Sequence, residues 1–123
     1  MVVKDWDDLA AKKDLIPGKI VCYSYQWTRY GVDVDYRYDG ASMAAKYGAV
    51  AALVRSVAPS AISPVHTGNM HYDENFPKIP IAAITVEDSD MFLRMTDRRQ
   101  TIRVNLQLDS ETQNGTNSSN LVF

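Results

Sequence analysis

The apolar positions of this sequence fall into short runs that predict helices and strands in alternation. A helix is predicted from Asp5 to Lys13, because Asp5 is a good N-cap and the lysines at the other end suit the helix dipole. Pro17-Gly18 then breaks the chain. The apolar and aromatic run from Lys19 to Tyr25 predicts a strand.

The next two elements predict that this strand has a parallel neighbour. The alanines between Gly40 and Tyr47 share one helical face, and Asp39 and Gly48 are the expected start and stop signals of that helix. Ala49 to Val54 is uniformly apolar, which is typical of a buried strand. Residues 19 to 54 thus read as strand, loop, helix and strand, which is a crossover unit.

Two stretches have no clear period and are interpreted as loops. Residues 26 to 39 mix aromatic side chains with three aspartates and two arginines. We expect a loop here, or a loop with a short β segment, whose aromatics cover the edge of the core. Residues 56 to 78 contain three prolines and form a long irregular segment. A loop of that length in a compact domain is usually functional or mobile.

The last third of the chain predicts three more elements and a tail. Lys78 to Thr85 reads as a strand, and Val86 to Thr96 as a helix capped by Thr85. Thr101 to Leu108 alternates between apolar and polar residues, which predicts a half-buried strand. Residues 110 to 123 are read as a polar linker that ends in Leu121-Val-Phe123, the expected start of another strand.

The composition narrows the classes of function. The chain has 123 residues, of which 46% are hydrophobic and 23% charged, as expected for one globular domain. A net charge of -2 gives no basic face for nucleic acid, and no apolar run is long enough to span a membrane. The single cysteine, Cys22, lies within a predicted strand and is read as a buried residue, not a nucleophile.

A search for catalytic motifs finds none. The only two histidines, His66 and His71, lie in the long loop, and neither a zinc-peptidase helix motif nor a serine-hydrolase elbow is present. Asn114 and Asn117 each begin a glycosylation sequon in the polar tail. The residues alone therefore predict an α/β domain without indicating an activity.

Several segments nevertheless resemble the protease-associated domain. Three of them match its general pattern of strand, small-residue helix and strand: Gly18 to Val21, Gly40 to Ala49 and Leu53 to Val57. Two more resemble the version of this domain found in the carboxypeptidase Q-like branch of the M28 zinc peptidases: His66-Thr-Gly68 and Pro77 to Asp88. One departure is that Val65 separates Pro64 from His66, where the branch usually has proline directly before the histidine.

The resemblance implies a fold and a setting. The fold would be the swivelling β/β/α fold of mixed α/β class, a small barrel-like sheet with flanking helices formed by residues 1 to 109. Residues 110 to 123 would lead to an M28 peptidase domain further along the parent protein. That parent would be a homodimeric, secreted or lysosomal exopeptidase acting on dipeptides or short peptides. Its two zinc ions and its catalytic residues would lie outside this chain.

The resemblance therefore predicts a non-catalytic accessory domain that packs on its own M28 catalytic domain. His66, Thr67 and Gly68 are expected either to face the substrate cleft or to form a turn that holds the loop together. The alternative function is a stand-alone module that binds proteins or peptides, as protease-associated domains do in sorting receptors. An independent small enzyme is disfavoured because no cluster of catalytic residues is present in the sequence.

Overall fold

A four-stranded parallel sheet forms the centre of the molecule. The structure, a computed structural model, describes residues 1–60, 64–111, 113–115, 117 and 119. The strands are paired in chain order and are β1 (Val2–Val3), β2 (Ile20–Tyr23), β3 (Ala51–Arg55) and β4 (Ile81–Ile84). The helices are α1 (Trp6–Ala11), α2 (Tyr30–Tyr38), α3 (Gly40–Ala45) and α4 (Val86–Asp97), and a single 3₁₀ turn spans Lys13–Leu15.

The sheet is covered on both faces, which explains why its central strands are almost wholly apolar. On one face, Val21, Tyr23 and Val54 pack in a cluster with residues of α1, α2 and α3. On the other face, Cys22 and Leu53 form a smaller cluster, against which Phe92 and Leu93 of α4 and Ile102 and Leu106 of the following segment pack. Alternate residues of one strand therefore pack into two separate clusters, one on each face of the sheet.

The crossover from β3 to β4 has no helix in its described part. Residues 64 to 80 run as an irregular segment, which places Met70, Tyr72 and Phe76 against the main cluster. The hydroxyl of Tyr72 donates to the carbonyl of Ile79 at 2.7 Å, and the amide of Asp73 donates to Oγ of Ser42 in α3 at 2.9 Å. The loop therefore makes the packing contacts with the core that a helix usually makes in such a crossover.

Most of the helix boundaries follow the capping signals of the sequence. Asp5 accepts a hydrogen bond from the amide of Asp8 at 2.7 Å, and Thr85 accepts one from the amide of Asp88 at 3.0 Å. Gly48 has a φ of +81°, which glycine adopts without strain after a helix. Asp39 directly precedes α3 as predicted, but the expected side-chain cap is wrong, because the Asp39 carboxylate makes no capping hydrogen bond to the helix.

Two element predictions are wrong as well. Residues 30 to 38, expected to be a loop, form α2. Thr101 to Leu108 lies outside any strand, although Ile102 and Leu106 pack against the core. The alternation of apolar and polar residues in this segment therefore reflects burial of one side without backbone pairing to a strand.

The α/β class with flanking helices is confirmed. A barrel-like sheet is not, because the four described strands leave β1 and β4 at opposite edges. Leu121 to Phe123 lies outside the described residues.

Gly40 is the position where close packing between α3 and β2 can be tested. A Cβ at Gly40 would lie 2.9 Å from Cε2 of Tyr23, a fully buried ring whose hydroxyl donates to the Gly40 carbonyl at 2.8 Å. We expect Gly40→Ala to lower the free energy of unfolding by about 1–3 kcal/mol, measured by urea denaturation.

Gly31→Ala is the matched control, because a Cβ there meets nothing within 4 Å and alanine favours the helix. The control should unfold at the same urea concentration as the parent chain or a higher one. Equal stability of both variants would contradict the packing described here.

Candidate functional site

The candidate site begins with the residues that start α2. Asp33, only 2% exposed, accepts hydrogen bonds from the amides of Thr28 and Arg29 at 2.6 and 3.0 Å. It also accepts one from the hydroxyl of Thr28 at 2.9 Å. These bonds tie the first turn of α2 to the chain before it. They therefore fix the helix on which Arg37 stands, one turn further along the same face.

The guanidinium of Arg37 lies at the centre of the site. Its Nη1 is 3.1 Å from Nδ1 of His66 and donates to the carbonyl of Thr67 at 3.4 Å. Nε donates to the carbonyl of Asn69 at 3.4 Å, and Nη2 donates to the hydroxyl of Tyr30 at 3.2 Å. Because a guanidinium only donates, Nδ1 of His66 is the acceptor here, and the proton of a neutral ring is on Nε2.

Arg37 is held by neutral acceptors alone among the described residues. The residue is 8% exposed, and no carboxylate of the described chain lies within ion-pair distance of it. A buried cation is costly unless its hydrogen bonds are made. The acceptors from the loop therefore satisfy Arg37, and Arg37 in turn holds the loop against α2.

Gly68 allows this close approach. A Cβ at this position would lie 2.6 Å from Cζ of Arg37, so the backbone of the turn rests directly on the guanidinium. The amide of His66 donates to Oγ of Ser56 at 3.0 Å, and that hydroxyl donates to the carbonyl of Ile84 at 2.8 Å. The turn is consequently tied to the carboxyl ends of β3 and β4 as well as to α2.

The side chains that this turn presents are exposed. His66, Thr67 and Gly68 all lie at the surface, and the ring of His66 meets the ring of Tyr30 edge-on at 5.7 Å. The hydroxyl of Thr67 has no hydrogen-bond partner among the described residues. The hydroxyl of Thr67 and the imidazole of His66 are therefore available to a ligand, and both stand on a backbone that is fixed by hydrogen bonds.

His71, the other histidine of the loop, has different neighbours. Its ring stacks on Tyr38 at 5.5 Å, and its Nδ1 lies 3.5 Å from Oδ1 of Asp39. The part of the chain that the structure describes contains no group of three or more His, Cys, Asp or Glu side chains able to hold a metal ion. These residues therefore do not fit a zinc site.

The remaining sequence candidates lie apart from this turn. Asn114 and Asn117 are exposed and outside helices and strands.

Cys22 is 4% exposed, and burial raises the pKa of its thiol to about 12, so the thiol is protonated at neutral pH. Within the described residues, no helix has the length and apolar character needed to cross a bilayer.

Arg37, the residue that organises the turn, could not be recognised from the sequence. An arginine between two tyrosines in a segment of mixed charge reads as a solvated residue. The local pattern of residues around Arg37 does not indicate that a loop about thirty positions later packs on its guanidinium, because this contact depends on tertiary structure.

The fold as a whole has a counterpart among solved structures. The structure is similar to that of a peptidase M28 precursor from Shewanella amazonensis, with a TM-score of 0.71 and 30% sequence identity. The match covers 81% of this chain and 24% of that one. No family model matches the sequence.

Among curated proteins the similarity is to carboxypeptidase Q. The mouse and human proteins are 43% and 42% identical to this chain over 122 residues, which is 99% of the chain. The chain spans about a quarter of their length, 26% in each case. The resemblance to a segment of a carboxypeptidase Q-like M28 peptidase, expected from the sequence, is confirmed.

Arg37→Lys tests whether the guanidinium holds the turn. Lysine keeps the charge but cannot reach several acceptors in one plane, so carbonyls of the turn lose their donor. We expect a loss of about 1–3 kcal/mol in unfolding free energy and faster amide hydrogen exchange at His66 and His71. Arg29→Lys is the control, because Arg29 is exposed and its side chain makes no hydrogen bond to the described residues. Equal exchange rates in the two variants would argue against the bracing role.

Cys22 offers a separate test of the core on the α4 side of the sheet. Because its thiol is buried and protonated, we expect a thiol-specific reagent to react with the native chain far more slowly than with the urea-unfolded chain. Rapid modification of the native chain at neutral pH would contradict the burial of Cys22 beneath α4.

Proposed function

We propose that this chain is a non-catalytic accessory domain of an M28 zinc exopeptidase of the carboxypeptidase Q type. The observation that carries the proposal is the similarity of 99% of the chain to about a quarter of carboxypeptidase Q. A segment of that size suits one domain of a larger enzyme. The parent would remove residues from dipeptides or short peptides, and this domain would shape access to its active site.

The proposal assigns the zinc chemistry to another part of the parent protein. The described residues do not fit a zinc site, so no step of hydrolysis is ascribed to this chain. When bound in a peptidase domain, zinc activates water for attack on the peptide bond. Packing on its own M28 catalytic domain would bring the present chain beside that centre.

The finer features of the proposal come from the resemblance. They are the protease-associated fold for residues 1 to 109, a polar linker over residues 110 to 123, a homodimeric parent, and a secreted or lysosomal location. The exposure of Asn114 and Asn117 supports the last feature, because a glycan needs an accessible asparagine.

Within this function, the turn of His66, Thr67 and Gly68 is proposed to border the substrate cleft. Three bonded contacts support a fixed position: the turn rests on Arg37, the His66 amide is bonded to Ser56, and the Ser56 hydroxyl is bonded to β4. A fixed turn can restrict a cleft to short substrates without ordering cost on binding. The exposed imidazole and hydroxyl would then hydrogen-bond one end of a peptide.

A chimera tests this function. The matching segment of mouse carboxypeptidase Q is replaced by residues 1–123, and hydrolysis of a dipeptide is measured for the chimera and for the isolated chain. We expect activity in the chimera and none in the isolated chain. Hydrolysis by the isolated chain, or a folded chimera without activity, would overturn the proposal.

Replacing His66 in the same chimera tests the role of the turn. His66→Ala should raise KM by roughly two- to tenfold, the effect of one lost hydrogen bond to substrate. His71→Ala is the control, since His71 is also an exposed loop histidine but contacts Tyr38 and Asp39 instead. Unchanged kcat and KM in both variants would limit the turn to a structural role.

A further inference from the structure

A cleft lies at the carboxyl ends of the parallel strands, where ligands of α/β proteins often bind. It has a volume of about 720 Å³, within the roughly 300–1,000 Å³ of small-molecule sites. Its charged lining residues are Lys4, Asp5, Arg55 and Asp90, and its apolar walls include Trp27 and Leu93. We call it the Arg55 cleft.

Arg55 is built rigidly into this cleft. The residue is 6% exposed, and its guanidinium lies over the ring of Tyr25 at 5.4 Å from the centroid. Nη1 donates to the carbonyls of Ser56 and Ala58 at 3.1 and 2.9 Å, and Nη2 reaches the carbonyl of Pro59 at 3.5 Å. The hydroxyl of Tyr25 donates to the Arg55 carbonyl at 3.0 Å, which fixes the ring under the guanidinium.

Part of this guanidinium remains available to a ligand. The hydrogen bonds to described residues involve Nη1 and Nη2, and Nε has none. Every fully buried side-chain nitrogen or oxygen in the described part of the chain has a partner, so Nε is not fully enclosed. No carboxylate of the described residues lies within 4.0 Å of the guanidinium. The Nε–H of Arg55 is therefore a donor that a ligand carboxylate can use.

The cleft also holds negative charge that is not neutralised. Asp90 is exposed on α4, and its carboxylate makes neither a hydrogen bond nor an ion pair with described residues. Asp5 uses one oxygen to cap α1 and also makes no ion pair there. The cleft therefore holds two cationic residues, Lys4 and Arg55, and two carboxylates, Asp5 and Asp90, with no ion pair among them in the described structure. A simple anion or a simple cation would meet like charges as well as opposite ones.

We propose that the Arg55 cleft binds a small zwitterion, a free amino acid or short peptide, with its carboxylate on Arg55 and its ammonium on Asp90. A molecule with both charges can pair with a cationic and an anionic residue of the cleft at once, which neither a simple anion nor a simple cation does. Trp27 and Leu93 provide an apolar wall for a side chain. This site is separate from the His66 turn and does not rest on the accessory-domain function.

The test uses the ¹⁵N-labelled chain and matched ligands. L-leucine and leucyl-leucine are titrated against it, each beside its C-terminal amide and its N-acetyl derivative, while amide resonances of Gln26, Trp27 and Asp90 are followed. We expect at least one of the two zwitterions to shift these resonances. Its amide and its N-acetyl form should each bind roughly tenfold more weakly or worse.

Two variants assign the ends of the ligand. Arg55→Lys should weaken binding of the zwitterion by roughly tenfold, and its ¹H–¹⁵N spectrum reports whether the chain is folded. Asp90→Asn, at an exposed position, should remove the preference for a free ammonium over the N-acetyl group. Asp97→Asn, on the same helix but outside the cleft, is the control and should bind as the parent chain does.

The proposal is overturned if neither zwitterion shifts these resonances up to its solubility limit. It is also overturned if the three forms of a ligand bind equally well, or if Asp90→Asn and Asp97→Asn have the same effect. Each of these three results leaves the accessory-domain function standing, because that function depends on the chimera.

Discussion

The fixed arrangement of the candidate site depends on the hydrogen bonds that the guanidinium of Arg37 donates. The crossover from β3 to β4 is irregular where the structure describes it, so backbone carbonyls of this loop have no helical partners. Arg37 supplies donors to two of them, at Thr67 and Asn69, and to the ring of His66. Without these bonds both the buried cation and the loop carbonyls would lose their partners at once, so the two stabilise each other.

The end of β3 connects this site to the Arg55 cleft. Arg55 and Ser56 are successive residues, and their side chains contact different neighbours. Arg55 reaches the ring of Tyr25 and the carbonyls beyond β3, whereas Ser56 binds the amide of His66 and the carbonyl of Ile84. Residues that alternate along a strand naturally point to different layers. One strand end therefore positions groups for two neighbouring surfaces of the sheet edge.

The sequence predicted the sheet better than it predicted the site. The strands β2, β3 and β4 were recognisable as apolar runs, and α1 and α4 by their caps at Asp5 and Thr85. These signals are local, so a single sequence carries them. The α2 helix was missed because two of its three buried side chains, Asp33 and Arg37, are charged, so that Tyr36 alone does not form an apolar stripe. The His66 turn was visible as a motif, whereas its attachment to α2 spans the chain and has no local signal.

NMR of the arginine side chains in the isolated chain is the most direct test of whether Arg37 holds the turn in a fixed position. We expect the Nε–H of Arg37 to exchange slowly with water and to give nuclear Overhauser contacts to His66 and Gly68, while Arg29 exchanges rapidly. Fast exchange at Arg37, with free rotation of its guanidinium as at Arg29, would show instead that other contacts hold the turn.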